Sequence, residues 1–180
     1  MGLKCVAWDL DNTFWQGVLS EGDELNVVES AVAAIKALDE RGVLNSIASR
    51  NDETLAMQKI EALGLREYFL YPQIGWGAKS EALKRIAASL NIGLDTLALV
   101  DDDAFERAEV TASCPGVRAY TFKSAESLLR DLGVSDMQPT IEARERRLLY
   151  LSEVHRQQAE ADFRPYRAVA TIAQPAQAAA

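Results

Sequence analysis

Two aspartates, Asp9 and Asp11, stand two residues apart just past the apolar run Cys5-Val6-Ala7-Trp8. Carboxylates at this spacing can supply a nucleophile and a neighbouring acid/base. They can also help hold Mg2+, a hard ion usually bound by one or two carboxylates together with substrate phosphate oxygens. Alone, the pair also reads as an ordinary acidic loop. Three further features follow it in the chain. Ser49 closes a second apolar stretch, where its hydroxyl can hydrogen-bond a phosphoryl oxygen. Lys79 comes after the Gly75-Trp76-Gly77 turn, where an ammonium can offset the charge of a nucleophile and of a phosphoryl group. Asp101, Asp102 and Asp103 follow the apolar Thr96-to-Val100 run. Adjacent carboxylates repel one another unless a cation or donor groups compensate. Each feature has a structural alternative: a cap or turn for Ser49, a solvated charge for Lys79, a helix N-terminus for the aspartates. In this order, each at a strand end or loop, they point together to phosphoryl chemistry.

The elements that must position these residues alternate. Lys4 to Leu10 reads as a buried parallel strand delivering Asp9 and Asp11 into a loop. Asn12 to Leu25 reads as a loop or small hairpin. A helix over Glu29 to Arg41 is stopped by Gly42, and Val43 to Ala48 forms a second strand despite the polar Asn45 and Ser46. Helices follow over Asp52 to Leu63 and Ser80 to Leu90, with a short strand between them at Tyr68 to Tyr71. Thr96 to Val100 is the clearest strand. A helix over Phe105 to Ala112, a strand over Val117 to Thr121 and a helix over Ser124 to Leu132 complete the series. This alternation predicts an α/β fold: a Rossmann-like three-layer α/β/α sandwich with a mainly parallel sheet, whose ligands bind beyond the C-terminal strand ends. The predicted division is a catalytic domain over 1–135, a helical extension over 136–165 built on one long helix from Thr140 to Arg164, and a disordered tail over 166–180 rich in Ala and Gln.

The chain has 180 residues, 48% hydrophobic and 26% charged, enough for one domain with a real core. Its net charge of -8 argues against bulk nucleic-acid binding, which needs basic patches. No apolar run approaches the roughly 18 residues of a membrane span, and the N-terminus lacks a signal-peptide layout, so a cytoplasmic location is expected. The two cysteines, Cys5 and Cys114, are far apart in sequence and read as reduced thiols.

The order Asp9-Leu10-Asp11-Asn12-Thr13, then Ser49, then Lys79, then Asp101-Asp102, resembles the four motifs of haloacid dehalogenase (HAD) superfamily phosphotransferases, over nearly the whole chain to about residue 132. The resemblance implies Asp9 as nucleophile and Mg2+ ligand, and Asp11 as general acid/base with its backbone carbonyl on the metal. It implies that Thr13 and Ser49 orient the phosphoryl group, that Lys79 clamps it, and that Asp102 completes the Mg2+ site, with Asp101 and Glu106 as supporting or alternate metal partners. A narrower resemblance, carried by Asp9 to Val18, Ser49-Arg50-Asn51-Asp52-Glu53, Leu90 to Asp95 and Arg144 to Phe163, is to FkbH-like domains of subfamily IIIC. Arg50 and Asn51, beside Ser49 in that motif, are expected at the substrate. Such proteins move a glyceryl unit from 1,3-bisphosphoglycerate through an enzyme thioester to an acyl carrier protein. The cysteine that typically precedes the motif serine is here Ala48, which favours a phosphatase.

The short stretches between Thr13 and Ser49, and between Ser49 and Lys79, leave no room for a cap domain. An open site suits a carrier-protein-bound substrate, or a small phosphorylated metabolite covered by the Phe14-to-Leu25 loop, with Trp15 stacking on it. Buried packing is the alternative for that tryptophan. A non-catalytic docking domain and a receiver-type regulator are more distant alternatives.

Overall fold

The computed structural model of the protein describes residues 2–172, with side chains through residue 163. Five strands form one sheet in the order β5-β4-β1-β6-β7. They are β1 (Cys5–Trp8), β4 (Leu44–Ser49), β5 (Gln73–Ile74), β6 (Leu97–Val100) and β7 (Arg118–Tyr120), and every neighbouring pair is parallel. A second, two-stranded ribbon pairs β2 (Trp15–Gln16) with β3 (Asn26–Val27) antiparallel, so of the loop or small hairpin expected after the first strand the hairpin forms.

Alternation along the strands builds two cores. Val6, Trp8, Val43, Ile47, Ala98 and Val100 face one side, against Ile35 and Leu38 of α1 (Glu29–Glu40), Ile60 of α2 (Glu53–Ala62) and Leu128 of α5 (Ala125–Asp131). Cys5, Ala7, Leu44, Ala48, Leu97 and Leu99 face the other, against Leu83, Ile86 and Leu90 of α3 (Lys79–Leu90) and Val110 of α4 (Ala104–Ser113). Strands buried on both faces are the reason the sequence shows apolar runs and not polar/apolar alternation. Asn45 is the exception inside β4. It accepts the Trp8 indole N–H (2.9 Å) and donates to the Ile35 carbonyl (3.2 Å), so its burial leaves no amide group idle.

Two boundaries differ from the sequence expectation. The strand expected at Tyr68 to Tyr71 does not form: a 3-10 turn over Arg66–Tyr68 ends there, and Phe69 makes only a single bridge to Asn45. Tyr71 adopts a left-handed backbone (φ 48°), which breaks the extended run, and β5 forms only beyond it. The last helix, α6 (Ile141–Ile172), is capped by the Thr140 hydroxyl and continues past residue 164. The tail expected to be disordered from residue 166 is therefore helical to Ile172, where Ala168 and Ala170 suit a helix as well as a low-complexity segment; residues 173–180 lie outside the described residues.

α6 crosses the N-terminal edge of the sheet. Arg147 pairs with Asp39 at the end of α1 (2.8 Å), donates to the Glu67 carbonyl and lies over the Tyr68 ring at 4.5 Å. Arg146 donates to the Gly42 carbonyl and Tyr150 to that of Leu90. Gly42 (φ +72°) allows the close approach: a Cβ there would lie 3.1 Å from Ala143. Among the described residues, no helix is long and apolar enough to cross a membrane.

Candidate active site

The C-terminal ends of β1, β4 and β6 open onto a cleft of about 520 Å³ lined by Asp9, Asp11, Arg50, Lys79, Asp102 and Glu106, with Asn12, Trp76 and Asp103. The strand ends step into it. Asp9 N–H donates to the Val100 carbonyl and Asp101 N–H to that of Tyr120, both at 2.9 Å. Past Asp9 the chain folds tightly: the Leu10 carbonyl accepts from Thr13, Phe14 and Trp15 N–H, and Asn12 takes the left-handed conformation (φ 55°) that asparagine tolerates. This turn keeps Asp11 at the cleft while burying Phe14 and Trp15 beneath it.

Lys79, the first residue of α3, is buried and joins two strand ends. Its Nζ lies 3.0 Å from Asp9 Oδ1 and is also hydrogen-bonded to Asp101 Oδ2. Burial opposes the lysine charge, but Asp9 and Asp101 outweigh that and hold the ammonium above its ordinary range. Asp9 moves the unexpected way for a paired acid: burial pushes it up to about 6, against the pull of Lys79 and with the push of Asp101. One ammonium serves two buried carboxylates, and Asp101 takes the better share. The Asp101 oxygens are both occupied, Oδ1 accepting Asp103 N–H at 2.9 Å.

Asp9, Asp101 and Asp102 present carboxylate oxygens within 4.8 Å of one another. Three carboxylates face one lysine, leaving an excess of negative charge that a divalent cation would offset. The donors are all oxygen, the kind Mg2+ takes. Because Asp101 is committed to Lys79 and Asp103, Asp9 and Asp102 are the carboxylates free to hold the ion. The residues present fit such a metal.

Ser49 ends β4 with its hydroxyl buried and without a hydrogen-bond partner. It stands near enough to Asp9 to favour that carboxylate's charge slightly, yet outside hydrogen-bond geometry. A buried idle hydroxyl costs roughly 1–3 kcal/mol, and such a group at a site awaits an acceptor.

Three residues expected at the substrate do not line the cleft. Trp15 is fully buried and does not stack on anything entering; its Nε1 donates to Asp11 Oδ1 at 2.8 Å. Asn51 is buried and donates from Nδ2 to Asp11 Oδ2 at 3.0 Å. Thr13 is buried too, and its hydroxyl is spent on Asp102, donating to Oδ1 (3.2 Å) and accepting the backbone N–H (3.1 Å). These side chains hold the acidic residues in place from behind. Arg50 does face the cleft, pairing with Glu106 (2.9 Å) and donating to the Trp76 carbonyl (3.4 Å). Asn12, Trp76 and Asp103 went unremarked as cleft residues in the sequence. The available signal for Trp76 was its place between two glycines, which leaves the ring exposed at the rim.

Solved structures share this architecture. The N-terminal part of a Bacteroides fragilis protein, containing a phosphatase domain and complexed with Mg, is 25% identical over 77% of this chain and 41% of its own, with a TM-score of 0.64. This chain thus spans less than half of that one. A HAD-superfamily hydrolase from Ehrlichia chaffeensis is 11% identical over 74% of this chain and 98% of its own, with a TM-score of 0.60. The cobalt-bound deoxy-D-mannose-octulosonate 8-phosphate phosphatase of Haemophilus influenzae is 18% identical over 84% of this chain and 88% of its own, with a TM-score of 0.53. The protein has the fold of HAD-superfamily hydrolases. No protein-family model matches the sequence, and no curated protein matches it significantly.

Proposed function

We propose that this protein is a Mg2+-dependent phosphatase or phosphotransferase that acts on a phosphorylated biosynthetic intermediate through an aspartyl-phosphate on Asp9. The observation that carries this reading is the buried Lys79 ammonium shared between Asp9 and Asp101 at the cleft floor, beside an oxygen-only donor set. Asp9 is the carboxylate with an oxygen left over for attack on phosphorus. Lys79 stabilises the charge of Asp9 and of the phosphoryl oxygens, and Ser49 donates its idle hydroxyl to one of them. Asp11 exchanges a proton with the leaving group and then with water. Mg2+, held by Asp9 and Asp102 with the Asp11 carbonyl, would neutralise phosphoryl charge.

Among FkbH-like activities, the phosphatase half is the one the residues support. Thioester transfer needs a thiol at the cleft. Ala48 stands before Ser49, Cys5 lies at the far end of β1, and Cys114 follows α4; both thiols are fully buried, and burial raises both. The open cleft admits a phosphorylated small molecule or one tethered to an acyl carrier protein.

The test is phosphate release across a panel of phosphorylated metabolites, with and without Mg2+, comparing wild type with Asp9→Asn. Release that requires Mg2+ and vanishes in the variant supports the reading. Release that persists in Asp9→Asn, or a cysteine-bound acyl adduct seen by mass spectrometry after 1,3-bisphosphoglycerate treatment, refutes it.

A further inference from the structure

Asp11 is gripped from three directions, and the grip is lopsided. Oδ1 accepts two hydrogen bonds, from Trp15 Nε1 at 2.8 Å and from Leu19 N–H at 3.2 Å. A carboxylate oxygen offers about two lone-pair sites, so Oδ1 is filled. Oδ2 accepts one, from Asn51 Nδ2 at 3.0 Å, and keeps one site open.

The donors cannot easily turn away. The Asn51 amide is fixed in direction because its Oδ1 accepts Asp52 N–H at 3.1 Å, which leaves its NH2 facing Asp11. An indole N–H can only donate, and the Trp15 ring is locked in the core with its edge against Phe14, centroids 5.8 Å apart. Leu19 is bound through its backbone.

We infer that Trp15 and Asn51, with the Leu19 amide, are positioning residues that aim Asp11 so that Oδ2 alone carries the exchanged proton. This rests on the aspartyl-phosphate reading above. In the first step an Asp9 oxygen bonds to phosphorus while the bond to the leaving oxygen breaks. The electron pair of that bond stays on the leaving oxygen, which takes the proton from Asp11 Oδ2. In the second step water attacks phosphorus and gives a proton to Asp11 Oδ2. The bond to Asp9 breaks, its electrons return to Asp9, and phosphate leaves. A misplacement of about 1 Å in such a group can cost on the order of 100-fold in rate.

The experiment compares kcat/KM on an alkyl phosphate, whose alkoxide must be protonated to depart, with p-nitrophenyl phosphate, whose phenolate departs unaided. Asn51→Ala and Trp15→Phe are assayed with Mg2+ beside wild type and Asp9→Asn, and each is checked for folding by circular dichroism. General acid–base catalysis is worth about 10²–10⁴-fold, and losing its aim is expected to lower the alkyl rate by about 10- to 100-fold. The ratio of alkyl to aryl rates should fall at least about tenfold in each variant. A merely structural role would lower both rates together and leave the ratio unchanged, which overturns the inference while the hydrolase reading stands. Trp15→Phe keeps an aromatic ring in the core but loses the indole N–H together with part of the ring's volume; should it fail to fold, Asn51→Ala decides alone. A wild type inert on both esters, or an active Asp9→Asn, overturns the hydrolase reading and the inference with it.

Discussion

Lys79 reaches 3.0 Å from Asp9 while also bound to Asp101, so one helix N-terminus ties together the ends of β1 and β6. The charge at the cleft is thereby built into the fold, and changes there should be read in stability as well as in rate.

Lys79→Met is expected to abolish activity, by at least about 100-fold. It also leaves Asp9 and Asp101 buried without their counter-charge, a cost of about 3–5 kcal/mol. Thermal melts should show a lower Tm without Mg2+ and partial recovery with it. An unchanged metal-free Tm would refute this account.

The stability of the metal-free protein should fall as pH rises past Asp9. Its folded-state value is about 6, above the ordinary 3.8, so the folded form binds the proton more tightly than the unfolded chain does. The resulting cost is absent below about pH 4, grows through the interval, and is fully present above about pH 6, on the order of 3 kcal/mol. Asp9→Asn should remove it and melt higher than wild type at pH 8 but not at pH 4. Since proton and metal compete for the same carboxylate, Mg2+ affinity measured by calorimetry should weaken as pH drops below about 6.

Arg147→Ala should loosen α6 without touching the chemistry. It removes the part-buried pair with Asp39, the bond to the Glu67 carbonyl and the stacking on Tyr68. A loss of about 2–4 kcal/mol is expected, read by urea denaturation. Phosphate release at temperatures where the variant is folded should match wild type.

Asn45→Ala should cost about 1–3 kcal/mol, because it strands the Trp8 indole N–H in the core and removes the added bond to the Ile35 carbonyl of α1. Chemical denaturation checks this, and a change within about 0.5 kcal/mol would contradict it.

The strands were legible because burial on both faces writes itself as unbroken apolar runs, and the aspartates were legible because they interrupt those runs at their C-terminal ends. Lys79 was readable from its place after the Gly75-Trp76-Gly77 turn. The roles of Thr13, Trp15 and Asn51 were not. Residue type announces a donor but not its direction, and these donors close contacts set by the fold. Thr13 meets Asp102 beyond another strand end, and Asn51 reaches back from the loop after β4 to Asp11. The same blindness hid the wall made by Arg50 and Glu106, which are neighbours only because the end of β4 and the start of α4 lie side by side. The displaced β5 has a local cause, the backbone reversal at Tyr71, which tyrosine does not advertise.

β1 lies at the middle of the sheet, bonded on both sides, and Asp9 N–H still donates to Val100 just beyond its end. In hydrogen-exchange terms, the Asp9 amide belongs with the slowest protons of the molecule, released by global opening and not by fraying of a loop. The carboxylate proposed to attack phosphorus is therefore carried on backbone that yields only with the sheet, and a proton clock on Asp9 would measure the stability of the whole fold.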